Sequence, residues 1–112
     1  MEKIEKVKEI EETMSIKLPQ DYIEYMKSNS GYTGMINDDY YNIWKLEEII
    51  SMNNSYQVQE FFPNLIYFGS NGGGEAFAFD KSNNMCIVSI PFIGTEKDKI
   101  VVANSFNDFM NK

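Results

Sequence analysis

The sequence predicts an α+β domain, with a mainly antiparallel β-sheet of about four to six strands and helices packed on one face. Three observations predict it. In the first half of the chain apolar residues recur at helical spacing. After Pro63 they give way to short β-branched and aromatic runs. Those runs are separated by turns of a few residues, which makes successive strands antiparallel neighbours, because a parallel crossover needs a dozen residues or more.

Ile4, Val7, Ile10 and Met14, with charged residues between them, mark an amphipathic helix over 2–14. The segment SIKLPQDYIEYMKSNSG gives a second. Pro19 fits its first position, where the missing N–H is no loss, and Asp21 lies in the first turn, where the helix dipole favours an acid. Tyr22, Ile23 and Met26 form its apolar stripe, and Gly31 is a natural stop. Residues 32–42, YTGMINDDYYN, read as a polar and aromatic connection, with a short strand entering Ile43 and Trp44. LEEIISMNN reads as a third helix that buries Leu46, Ile49 and Ile50. The strand candidates follow: LIYF, AFAF, MCIVSIPFI and IVVAN, punctuated by SNGGGE, KSNN and GTEKDK. From Ser105 the chain reads as a capped terminal helix with Phe106, Phe109 and Met110 facing inward.

Residues 1–112 are expected to form a single domain, and a chain of 112 residues that is 43% hydrophobic needs neither metal nor disulfide to build a core. Cys86, the one cysteine, sits in an apolar run and reads as a small core side chain. The charged start MEKIEKVKEIEE has no signal-peptide pattern, and no apolar stretch reaches about 18 residues. A soluble, cytoplasmic protein is therefore expected, with no membrane contact, and the Asn-x-Ser at Asn53 carries no weight as a glycosylation site. Ten lysines face seventeen acidic residues, for a net charge of −7, with no arginine and no histidine. That balance argues against direct nucleic-acid binding, which asks for a basic patch. It suits a basic protein partner, drawn in by charge, as well as it suits plain solubility.

Catalysis finds little support. Gly72 to Gly74 precede Glu75 and a strand pattern, not a Gly-Lys-Ser/Thr and a helix, so the glycine run reads as a tight turn and not as a phosphate loop. Without histidine, Ser-His-Asp and Cys-His arrangements are excluded. Glu47 and Glu48 sit on a helix as a solvated face would, and Asp38 and Asp39 are adjacent in a polar loop, an arrangement that rarely converges on one substrate atom. NDDYYN lacks the spacing of a calcium loop. No enzyme activity, metal or cofactor is expected.

Several pieces in this order resemble the SUKH superfamily, whose eukaryotic namesakes are the Smi/Knr cell-wall-synthesis regulators. They are IKLPQDY (16–22), Gly31, Trp44 with LEEI (46–49), PNLIYFGSNGGGEAFAFD (63–80) and ANSFNDFM (103–110). The resemblance implies a non-catalytic α+β binding module. In its bacterial branch it implies an immunity protein that binds and neutralises a cognate protein toxin, commonly a nuclease; the alternative is an intracellular scaffold or regulator of the Smi/Knr type. The motif residues read as scaffold, with Pro19 starting a helix, the glycines shaping turns, and Phe77 and Phe79 filling the core.

One stretch, NDDYYNIW, is rich in both acids and aromatics. Asp38 and Asp39 would meet lysines or arginines of a partner, and Tyr40 and Tyr41 would supply contact area and hydroxyls. The plainer reading has the tyrosines edging the sheet and the aspartates capping a turn. Glu75 joins the candidate set; it is expected either to hydrogen-bond to the loop N–H groups or to point outward.

Overall fold

A computed structural model describes residues 2–36 and 38–111. Helices α1 (Glu2–Met14) and α2 (Gln20–Ser28) lead into strands β1 (Tyr32–Ile36) and β2 (Asp39–Ile43). Helices α3 (Leu46–Ser55) and α4 (Val58–Phe61) follow, then β3 (Leu65–Ser70), β4 (Glu75–Asp80), β5 (Cys86–Pro91), β6 (Ile100–Ala103) and a closing α5 (Phe106–Met110). The six strands hydrogen-bond in chain order, each antiparallel to the next. The α+β class and the antiparallel sheet are therefore as the sequence predicts.

Three local expectations change. The 32–42 segment is not a connection but a hairpin, β1 and β2, paired from Tyr32↔Ile43 to Ile36↔Asp39. Strand β1 lies at the edge of the sheet and none of its residues is fully buried, so it carries no strong apolar alternation for a sequence reading to find. Helix α2 ends at Ser28, before Gly31. Gly31 (φ +80) instead serves the entry to β1, where a Cβ would run into the Ile43 carbonyl. Helix α4 spans four residues, too few to show a period, and opens at Gln57 in the left-handed region, φ 55.

Strands β3 to β5 are buried along almost their whole length, which requires cover on both faces. The aromatic contacts divide accordingly. On one side Tyr22 of α2 meets Phe68, Phe79 and Phe106 edge-on at 5.1–5.8 Å, and Phe68 stacks on Phe79 at 4.4 Å. Phe106 and Phe109 of α5 close over the same side. Ala78, between Phe77 and Phe79, faces the other way, and its cross-strand partner Tyr67 packs there with Tyr56, Phe62 and Phe92. Thus α2 and α5 form the main layer, while the residues ending α3 and α4 form a smaller second one. Trp44 and Cys86 are core residues, 5% and 4% exposed, and burial pushes the Cys86 thiol pKa up.

Asn53 explains how the sheet is held where β2 runs out. Strand β2 pairs with β3 only at Asn42↔Ser70 and Ile43↔Gly69, followed by Trp44 N–H donating to the Phe68 carbonyl at 3.0 Å. The next residue of β3, Tyr67, pairs with β4 on one side but has no strand beside it on the β2 side. Asn53 fills that place from α3: its Nδ2 donates to the Tyr67 carbonyl (2.9 Å) and its Oδ1 accepts the Tyr67 N–H (2.9 Å). A third bond, to the Ile49 carbonyl (2.7 Å), fixes the carboxamide to its own helix. The side chain acts as a one-residue strand.

Candidate functional site: an acidic cleft beside the β1–β2 hairpin

The five residues singled out in the sequence, Asp38, Asp39, Tyr40, Tyr41 and Glu75, all line one cleft of about 250 Å³. The β1–β2 hairpin supplies the first four and the start of β4 supplies Glu75. Asn71 contributes from the β3–β4 turn, Ser89 from β5, Val102 from β6 and Phe109 from α5. Its floor is aromatic: Tyr41 stacks on Phe109 at 4.5 Å, and Phe77 stands against both, 5.1 Å from Tyr41 and 4.7 Å from Phe109.

The residues divide by role. Asp38, Asp39 and Tyr40 are exposed. Tyr41 is not the surface anchor that the sequence suggested: it is 2% exposed, because period-two alternation along β2 turns it inward beneath α5. Its hydroxyl donates weakly to the Phe109 carbonyl at 3.4 Å, and burial, then the Asp39 charge, raise its pKa. Among the described residues, three carboxylates and no lysine line the opening.

The glycine run now has its local cause. Asn71 closes the turn: its Oδ1 accepts the N–H groups of Gly73 (2.8 Å) and Glu75 (3.2 Å). Glu75 does not bind the loop N–H groups itself, as one sequence reading had it. Its Oε1 accepts from the Asn71 amide at 2.8 Å, so it orients the residue that binds them. Gly72 (φ +76) lies flat against the Tyr40 ring, where a Cβ would come within 2.9 Å of Cδ2. The Gly73 N–H is thus engaged within the turn, by the Asn71 oxygen.

Two polar cleft residues, Asn71 and Ser89, escaped the sequence reading. Asn71 carries the usual Asn-Gly turn signal, overshadowed by the glycines after it. Ser89 is the lone polar side chain in CIVSIP; it pairs across the sheet with Phe77 and therefore shares the floor's face. It is 8% exposed, and its hydroxyl has no hydrogen-bond partner among the described residues.

Among the described residues, no three His, Cys, Asp or Glu side chains are grouped to hold a metal ion. Nor is any described helix long and apolar enough to cross a membrane. The fold and cleft define a class first: a small α+β protein whose concavity offers negative charge and aromatic surface. A family model described as SMI1 / KNR4 family (SUKH-1) matches residues 3–112, and the chain belongs to that family. Comparison with curated proteins finds no match.

Proposed function

We propose that this protein is an immunity protein of the SUKH type, which binds a cognate bacterial toxin in the cytoplasm and neutralises it by non-covalent occlusion. The observation that carries the reading is the family match over residues 3–112. The net charge of −7 and the carboxylate-rimmed cleft narrow the kind of partner to one with a basic surface, such as the substrate groove of a nuclease. Asp38, Asp39 and Tyr40 are the proposed contact residues, with Glu75 at the cleft edge and Tyr41 supporting them from beneath. The protein acts as a plug and not as a catalyst: it covers the toxin's groove, and no bond is made or broken.

The test is direct. The protein is used to capture its partner from the native cell, and the partner's activity is then assayed against rising amounts of purified protein. Stoichiometric loss of toxin activity, relieved by Asp38→Lys plus Asp39→Lys in a folded variant, is the expected result. A captured partner that keeps full activity when saturated would sink the immunity reading and favour a scaffold or regulator of the Smi/Knr type.

A further inference from the structure

The cleft is lined by one polar side chain from an otherwise apolar strand, Ser89 of β5. Ser89 is nine-tenths buried on the floor, faces the opening, and lacks a hydrogen-bond partner among the described residues. Unlike the Tyr22 hydroxyl, which is sealed from solvent, the Ser89 hydroxyl stays open to the cleft, where a donor can reach it. Asp38, Asp39 and Glu75 line the same cleft, as do the rings of Tyr41, Phe77 and Phe109. An apolar ring of walls beneath an anionic rim, with one acceptor at the bottom, is the complement of a cation carried on an aliphatic stem. The volume of about 250 Å³ lies below the roughly 300–1,000 Å³ usual for drug-sized ligands, which suits a single side chain.

We propose that the cleft seats one basic side chain, lysine or arginine, presented by the protein partner. The stem lies on the aromatic floor, the head donates to the Ser89 hydroxyl, and the rim carboxylates balance its charge. Glu75 keeps an oxygen for this, since only Oε1 is engaged by Asn71. The inference rests on the proposed function for the partner's being a protein, but its test needs no toxin.

The test titrates isotope-labelled full-length protein with three capped tripeptides, Gly-Lys-Gly, Gly-Arg-Gly and Gly-norleucine-Gly, and with spermidine, following backbone amide shifts. Saturable shifts centred on Asn71, Glu75, Ser89 and Phe109 are expected with the lysine or arginine peptide, at a dissociation constant on the order of 1 mM. The norleucine peptide, with the stem but no charge, leaves those amides in place. Ser89→Ala and Glu75→Gln, checked for native spectra, each weaken the cationic peptide by about threefold to tenfold. Equal shifts with norleucine, shifts scattered over the acidic surface without saturation, or saturation by spermidine alone would each overturn the proposal. If the peptides bind here while Asp38→Lys plus Asp39→Lys leaves toxin inhibition intact, the immunity contact lies elsewhere and the basic-side-chain site stands. If inhibition is lost in that variant but no peptide binds, the site falls and the immunity reading stands.

Discussion

Polar sites on the same sheet are treated in two opposite ways. At the β2 end, the backbone of Tyr67 would be left unpaired, and Asn53 answers both its groups with bonds of 2.9 Å. Asp80, at the far end of β4 and 2% exposed, is likewise answered: it accepts from Ser82 N (3.0 Å), Ser82 Oγ (2.6 Å) and Lys99 Nζ (2.9 Å). At the cleft, Ser89 is 8% exposed and makes no hydrogen bond among the described residues, in a lining that holds three carboxylates and, among those residues, no cation. The difference separates polar groups used to finish the fold from polar groups held in reserve. Removing the first kind exposes unpaired backbone or charge to the core; removing the second leaves the fold as it was.

The comparison breaks most sharply at Asn53. Asn53→Ala strands the N–H and carbonyl of Tyr67 in the core and is expected to lower stability by about 2–4 kcal/mol, read from urea unfolding midpoints. A loss under about 1 kcal/mol would mean that the strand-like role of Asn53 is illusory. Asp80→Asn comes next, at about 1–3 kcal/mol at neutral pH, because it weakens charge-assisted bonds to Ser82 and Lys99.

The same residue predicts a pH dependence. Burial alone would raise the Asp80 pKa, but the hydrogen bonds of Ser82 and Lys99 and the Lys99 charge outweigh it and hold it below the ordinary value. A group whose folded pKa is depressed contributes stability above its unfolded pKa and loses it as pH falls through the folded one. The gap between wild type and Asp80→Asn should therefore close as pH drops from neutral to below about 4, in paired unfolding curves.

Tyr22 sharpens the contrast from a third side. Its hydroxyl is sealed in the aromatic core without a partner among the described residues, and burial pushes its pKa well above the usual tyrosine range. Tyr22→Phe removes an unpaired polar atom and keeps the ring contacts with Phe68, Phe79 and Phe106, so stability should rise by up to about 1 kcal/mol in thermal unfolding. Smallest of all is Ser89→Ala, expected to shift stability by less than about 0.5 kcal/mol. A cost above about 1 kcal/mol would show Ser89 to be part of the fold, not of a binding site.

Much of the architecture was legible because it rests on local signals. The apolar spacing of Ile10, Met14, Tyr22 and Met26 marks helices, and all four are buried. Ser105 caps α5 as its type suggests, accepting from Asp108 N at 3.1 Å. Asp21 was read as a dipole acid of α2, yet it also accepts from Asn107 N at 2.9 Å, capping α5 from a distance of 86 positions in sequence. No pattern inside α2 could announce that bond. The β1–β2 hairpin was missed for a related reason: an edge strand has no second neighbour and only partial burial, so period-two alternation is weakly enforced there. The five candidate cleft residues were picked for charge and aromatic content, and the structure brings them to one opening. It also turns Tyr41 to the floor, a matter of register that composition does not carry.

By itself, the sequence determined the α+β class, the antiparallel succession of strands, and an anionic surface without arginine or histidine, because periodicity, short turns and residue counts are local or additive properties. Only the tertiary structure decided that Asn53 completes the sheet, that Glu75 orients Asn71, and that Ser89 shares a cleft with three carboxylates. Each of those depends on which distant backbone or side chain arrives within hydrogen-bond reach, and that is settled when the sheet registers and helices dock, not by any run of neighbouring residues.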